Sequence, residues 1–277
     1  MKTIKRYINR TNKIFSKYLY YFKHKDNLFL SKDVYSNLSK YDQNYRGSQK
    51  CIFNSHTISF NSPFWFLHSV DEIFVNEVYK FLPDKDQPVI IDCGANIGLS
   101  ILYFKKISKN SKIIAFEADP LVFKQLENNV SEYNYKNIEL INAAVWTCES
   151  TIVFTTEGSV GGKINNDQNE IENTVEVPSI RLRDYLTSEI DFLKIDIEGA
   201  EYEVLKDCAD MLFNVKTLFI EYHVLHNEEQ RLHEMLTWVY NAGFKYYIKE
   251  AWNNMEYPLM KIVNSGYQMQ LNIFCYK

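Results

Sequence analysis

Val89-Ile-Ile-Asp-Cys-Gly-Ala-Asn-Ile-Gly-Leu-Ser100 decides how this 277-residue chain folds. Residues 89–92 form a short apolar run, the signature of a strand covered on both faces. Gly94 then permits a tight turn and lets a ligand approach the backbone. Gly98 lets the next helix pack close to the strand, and residues 99–107 have helical spacing. Free N–H groups at a helix start face whatever lies beyond the strand end. The G-x-x-x-G spacing is not the G-x-G-x-x-G of dinucleotide folds, and no G-K-[ST] follows. No basic residue lies between 92 and 100, and Asp92 repels pyrophosphate while suiting a cationic ligand, directly or through water. A glycine turn alone is also what strand–helix packing requires.

Outward from this stretch, strands and helices alternate. Strands are predicted at 112–116, 138–142, 192–195 and 217–222, with helices at 120–132, 200–211 and 228–242. Asp119-Pro120 starts the first of these helices, with Pro in its first turn. Residues 151–155 and 176–180 read as an inserted hairpin around Gly158, Gly161 and Gly162, and 182–186 as a short helix. Strands at 245–248 and 270–276 are joined by a long connection and pair antiparallel. Repeating βα units imply a mostly parallel sheet with helices on both faces. Upstream, 69–82 has helical spacing closed by Pro83-Asp84-Lys85-Asp86, 51–60 reads as a strand or hairpin arm, and 26–50 as a polar linker with little regular structure.

Charge divides the chain. Residues 1–25 carry eight of the 31 basic residues and none of the 35 acidic ones, so the body holds 23 basic against 35 acidic residues, a net of −12. Apolar residues at 4, 7, 8, 14, 15, 18, 19 and 22 make the basic arm amphipathic. Such a helix attaches to an anionic membrane surface or to another subunit, or packs on the body with a solvated rim. The acidic body and the lack of a recognised motif argue against a nucleic-acid partner. Five cysteines, widely spaced and odd in number, argue against a disulfide framework and a zinc site, which points to the cytoplasm. No apolar run reaches membrane-spanning length, and no signal-peptide core is visible at the N-terminus.

Four further segments carry candidate chemistry. Glu117 follows Gly94 by 23 positions, near the offset at which a carboxylate holds ribose hydroxyls. Asp119 is the better helix cap, leaving Glu117 for that role. Asn142-Ala143-Ala144-Val145-Trp146 offers an amide and small residues to border an adenine, or is simply a strand exit. Lys194-Ile-Asp196-Ile-Glu198-Gly-Ala-Glu201 puts Asp196 and Glu198 at the carboxyl edge of the sheet, where such folds bind ligands. Glu198 and Glu201 are equally compatible with simple helix-start acids. In Glu221-Tyr222-His223, alternation puts Glu221 and His223 on one face, with His223 a general base or a structural histidine. Asp196, Glu198, Glu221 and His223 also have the make-up of a hard-metal site, which the sequence does not separate from a metal-free carboxylate cluster. No metal is assigned. Phe64-Trp65-Phe66, the stretch near Gly161, and 252–257 are candidates to line or cover an acceptor pocket.

On these segments the chain resembles the FkbM family of S-adenosylmethionine-dependent methyltransferases, with the Lys-Ile-Asp-Ile-Glu-Gly-Ala-Glu segment the most specific. The likeness spans about residues 51–277; residues 1–50 form a separate basic arm and linker, and the cofactor-binding core begins at about 88. Arg183 stands where an acidic residue is common in the family. The resemblance implies a class I methyltransferase sheet of seven strands with the last antiparallel, plus an N-terminal helical extension. It implies S-adenosylmethionine as cofactor and transfer to an oxygen of a sugar, glycan or related small molecule. By position, Asp92, Gly94, Asn96 and Gly98 would form the cofactor loop, Glu117 would hold the ribose, and Asn142 and Ala143 would flank the adenine. Asp196, Glu198 and His223 would face the acceptor as the catalytic group. The competing readings are a non-catalytic module that binds an adenosyl ligand and a nicotinamide oxidoreductase, the latter lacking its dinucleotide loop.

Overall fold

The computed structural model describes residues 29–155, 163–164, 174–255, 257–260 and 266–277. The basic arm at 1–25 and the Gly158, Gly161 and Gly162 loop lie outside the described residues. The chain enters through helix α1 (Lys32–Leu38), hairpin β1 (Gln49–Phe53) and β2 (His56–Phe60), and helix α2 (Pro63–Val70), which runs on into one π-helical turn, Asp71–Val75.

Two expectations are corrected in this region. Residues 32–38 are helical where a linker was expected: Ser31 caps the helix by accepting from the Val34 N–H, and Leu30 and Leu38 are buried. Their apolar spacing is real but hidden among polar neighbours. The helix expected at 69–82 instead starts at Pro63 behind the Ser62 cap and ends at Val75, because Glu77 turns the chain with a φ of 50°.

The remaining elements are β3 (Val89–Cys93), α3 (Leu99–Ile107), β4 (Lys112–Phe116), α4 (Pro120–Ser131), β5 (Ile138–Ile141), β6 (Ala144–Trp146), β7 (Ser150–Thr155), β8 (Lys163–Ile164), β9 (Thr174–Arg181), β10 (Ile190–Ile195), α5 (Glu201–Cys208), β11 (Val215–Leu225), α6 (Leu232–Asn241), β12 (Lys245–Glu250) and β13 (Tyr267–Tyr276). Short 3₁₀ turns at Leu182–Tyr185 and Ala209–Asn214 precede β10 and β11. Seven strands form the main sheet in the order β12-β13-β11-β10-β3-β4-β5, and β13 runs antiparallel to both neighbours. This is the class I methyltransferase sheet. The insertion is a second sheet, β6-β9-β7-β8, in which β7 and β9 pair antiparallel as expected.

Alternation along the buried strands divides the interior into two cores. Ile90, Phe192 and Phe219 face one side, with α2, α3, α4 and the N-terminal hairpin. Ile91, Leu193, Leu218 and Ile220 face the other, with α5 and α6. Burial of these apolar side chains, worth roughly 1.5–3 kcal/mol each, holds both layers on the sheet.

One polar side chain joins three parts of the first layer. Asn129 on α4 is 1% exposed. Its Oδ1 accepts from the Ser59 N–H at 2.8 Å, and its Nδ2 donates to the Ser59 and Ile97 carbonyls at 2.9 and 3.0 Å. It thus ties strand β2 to the end of the glycine turn. Asn129→Ala leaves these buried backbone groups without partners and should cost about 2–4 kcal/mol, read as a lower urea midpoint. A midpoint equal to wild type would show that the hairpin docks without this bond.

Candidate active site

The chain runs outward from β3 to β4 and β5 on one side, and from β10 to β11 on the other. The order therefore reverses between β3 and β10, and in open α/β sheets ligands bind beyond the strand ends at such a point. Parallel register sets Asp92 beside Lys194 and Cys93 beside Ile195. The glycine turn and the Lys-Ile-Asp segment therefore lie next to each other. Gly94 has a φ of +86°, and a Cβ there would stand 1.9 Å from the Asp196 carbonyl oxygen, so only glycine fits.

Above this joint opens a cavity of about 570 Å³. One side is lined by Gly94, Asn96, Glu117 and Ala143, where the cofactor is expected, and the far side by Asp196, Glu198 and Glu221. Glu117 Oε2 accepts from the Asn96 N–H and Oε1 from the Asp119 N–H, both at 2.9 Å. Asp119 caps α4 at the Leu121 and Val122 N–H groups, the division of labour expected from sequence. Burial lifts the Glu117 carboxyl to about 7, against the pull of its two N–H donors.

Three of the residues expected at the cofactor, Asp92, Asn142 and Gly98, do not line the cavity. Asp92 is fully buried, takes the Ser100 hydroxyl at 2.5 Å and lies 3.3 Å from Lys194 Nζ. It does not line the cavity, because β3 turns its side chain beneath the loop. Asn142 donates to the Glu117 and Ala118 carbonyls at 2.8 and 3.1 Å, holding the Glu117 turn from behind. Gly98, with a φ of +95°, starts α3 against Leu126 and Val130 and does not line the cavity either.

Lys194 is the cation that reading by motif left without a role. It is 2% exposed, donates to the Gly94 carbonyl at 2.8 Å and lies 3.1 Å from Asp196. Burial opposes its charge, but Asp196 and Asp92 overcome this and hold its pKa above the usual lysine value.

The far side is a cluster of carboxylates around one imidazole. His223 Nδ1 lies 3.0 Å from Glu201 Oε1, while Nε2 faces Glu221 at 3.4 Å and Glu198 at 3.6 Å. Glu221 and His223 therefore share a face. His223 is 3% exposed and sits behind the carboxylates that line the cavity. Burial works to lower its pKa, but Glu198, Glu201 and Glu221 raise it well above the usual value. Burial raises Glu221 to about 8 and lifts Glu198 and Glu72 as well. Glu201 is fully buried and accepts from the Ile197 and Gly199 N–H groups, which makes it the anchor of the 196–200 loop. Glu198 sits in that loop with a φ of 55°, a left-handed conformation that costs free energy, and its Oε2 accepts from the Tyr267 hydroxyl at 2.9 Å.

Aromatic rings close the cavity. Trp65 from α2 and Trp252 after β12 lie 5.5 Å apart, with His68 beside both. Of the aromatic candidates, Trp65 and Trp252 line the space, whereas Phe66 is stacked on Phe60 in the core. Glu72, from the π-helical turn, also faces the cavity and accepts from Asn272 Nδ2 at 3.0 Å. Glu72 and Asn272 escaped the reading by motif because each lies far in sequence from the residues it meets.

The sheet and this site define a class I methyltransferase. The family model of the methyltransferase FkbM domain matches residues 92–246, and the chain belongs to that family. It is a methyltransferase that uses S-adenosylmethionine. It is 29% identical over 169 residues to methyltransferase 1 of Beauveria bassiana, covering 52% of this chain and 67% of that one. It is 23% identical over 173 residues to the 2-O-methyltransferase NoeI of Sinorhizobium fredii, covering 55% and 68%. The match thus spans about two thirds of the length of these relatives. The solved structure of methyltransferase FkbM from Methylobacillus flagellatus superposes with a TM-score of 0.46 and 15% identity, over 70% of this chain and 45% of that one.

The residues present fit the cofactor. The turn at Gly94 lines the cavity, Glu117 presents a carboxylate to it, and the buried cation Lys194 is matched by Asp92 and Asp196. Hydroxyl groups donating to Glu117 need it ionised. Affinity for S-adenosylhomocysteine should therefore fall roughly tenfold per pH unit below about 7 and level off above it. Glu117→Gln should flatten that profile, and Glu117→Ala should weaken binding by roughly 100-fold, both read by calorimetry. Unchanged affinity in Glu117→Ala would remove Glu117 from the cofactor site.

Proposed function

We propose that this protein transfers a methyl group from S-adenosylmethionine to a hydroxyl oxygen of a sugar, a glycan or a related polyhydroxylated small molecule. The observation that supports this reading best is the single cavity in which the Gly94 turn and Glu117 face Asp196, Glu198 and Glu221 beneath Trp65 and Trp252. Carboxylates accept hydrogen bonds from hydroxyls, and indole faces suit the apolar faces of sugar rings. The 2-O-methyltransferase among the relatives agrees with an oxygen acceptor.

When bound, the cofactor supplies a methyl group already activated by its sulfonium. The protein's task is then alignment and exclusion of water. Glu117 would hold the ribose, Ala143 would border the adenine, and Asn142 would keep the Glu117 turn in place. Asp196, fixed against Gly94, would orient the acceptor hydroxyl. Glu198 would take its proton as the new C–O bond forms, with His223 holding the Glu198 and Glu221 carboxylates in position. A second role for the aromatic wall is to cover the acceptor once it is seated.

The first test is thermal stabilisation by S-adenosylmethionine and S-adenosylhomocysteine but not by NAD or ATP. The second is transfer of labelled methyl groups onto glycan and small-molecule extracts of the source cell. Stabilisation by NAD alone, or label on nitrogen or carbon of the product, would overturn the reading. Glu198→Gln should lower kcat by roughly 100-fold while leaving S-adenosylhomocysteine affinity within about threefold of wild type. Full turnover in that variant would assign the proton to another group.

A further inference from the structure

The geometry points to a divalent-cation site formed by Asp196, Glu221 and His223 at the acceptor side of the cavity. The sequence alone assigns no metal here. In the structure, one donor atom from each of these three residues lies within 4.8 Å of the other two. They come from the ends of adjacent strands, β10 and β11, which pair in parallel register up to Ile195 and Ile220.

The imidazole is oriented as a metal ligand requires. A ligating histidine gives one ring nitrogen to a carboxylate or carbonyl and turns the other to the ion. Here Glu201, fully buried and itself held by backbone N–H groups, fixes Nδ1 at 3.0 Å. Nε2 is left facing Glu221 at 3.4 Å and Glu198 at 3.6 Å.

A second, independent observation comes from β13. Asn272 is the register partner of Glu221, so the two side chains lie on the same face of the sheet. It is 5% exposed, and its Nδ2 donates to Glu72 Oε1, but its Oδ1 has no hydrogen-bond partner. A buried amide oxygen lacks such a partner at a real cost. A water carried by a cation at Asp196 and Glu221 is a donor of the kind that oxygen lacks.

Lys194 is already matched by Asp92 and Asp196, and Asp196, Glu72, Glu198 and Glu221 line one cavity, where a dication would offset the crowding of their carboxyl groups. Two carboxylates and an imidazole suit a first-row ion such as Mn²⁺ better than an all-oxygen Ca²⁺ site. Such an ion would anchor neighbouring oxygens of a polyhydroxylated acceptor and leave Glu198 to take the proton. The role, but not the binding, rests on the methyl-transfer reading above.

The test is titration of Mn²⁺ into the metal-stripped full-length protein, followed by electron paramagnetic resonance and calorimetry, with Mg²⁺ and Zn²⁺ as parallel arms. The expected result is one sub-millimolar site for at least one of these ions. Asp196→Asn and Glu221→Gln should each weaken it more than roughly tenfold, in proteins whose circular dichroism and urea midpoint match wild type. Glu229→Gln, on the surface, should bind as wild type. No sub-millimolar site, or equal binding in both cluster variants, would overturn the metal site. Methyl transfer undiminished in chelator would overturn the ion's role in anchoring the acceptor, while leaving the methyltransferase reading intact.

Discussion

The site depends on the parallel pairing of β3 with β10, clamped at its upper end by Lys194 and Asp92. Both side chains are buried, and a buried cation without its partner is expensive, so the pair resists any slip between the two strands. A one-residue slip would turn each side chain to the opposite face of the sheet. It would also move Gly94 away from the Asp196 carbonyl, the contact that only a glycine allows. Lys194 adds direct support by donating to the Gly94 carbonyl. The cofactor turn is thus held from beneath by the same cation that lies beside Asp196. The Gly94 turn and the Asp196 segment are parts of one joint, which suits a reaction whose main demand is alignment.

The same joint explains where the charge gathers. Parallel strands deliver their carboxyl ends to one edge, and β10 and β11 deliver Asp196, Glu198, Glu221 and His223 there together. Burial raises several of these carboxyls, which is the cost of facing one another with little water between. Glu198 bears a further cost in its left-handed backbone, and Glu201 holds the loop that imposes it. Free energy is stored where chemistry is to be done, and the two apolar cores on either face of the sheet supply it.

How legible this was depended on distance along the chain. The βα alternation, the antiparallel last strand, Asp119 as cap and the shared face of Glu221 and His223 follow from local periodicity, and the structure has them. Asp92 and Asn142 sit in the right segments but beneath or behind the loop, because a strand-end side chain has two faces to choose from and sequence does not say which. Asn129, Glu72 and Asn272 were invisible, since their partners lie 70, 200 and 200 positions away. The helix at α1 was missed for a different reason: only Leu30, Val34, Tyr35 and Leu38 mark it, within a stretch whose overall composition is polar.

The boundaries of the family match separate the two halves of the cavity. Gly94, Glu117, Asp196, Glu198, Glu221 and His223 all lie within residues 92–246. Trp65, His68 and Glu72 precede that span, and Trp252 and Tyr267 follow it. Helix α2 and the π-helical turn after it carry the first group, and the connection into β13 and the first residue of that strand carry the second. Both flanks pack on the sheet without contributing to the β3–β10 joint. A change in the aromatic wall therefore alters one side of the cavity without touching the Gly94 turn. Asn129, which fastens β2 to the end of that turn, is where the two halves meet. Through it, the strand that leads into the Trp65 helix is tied to the end of the Gly94–Gly98 turn, so both sides of the cavity share one anchor.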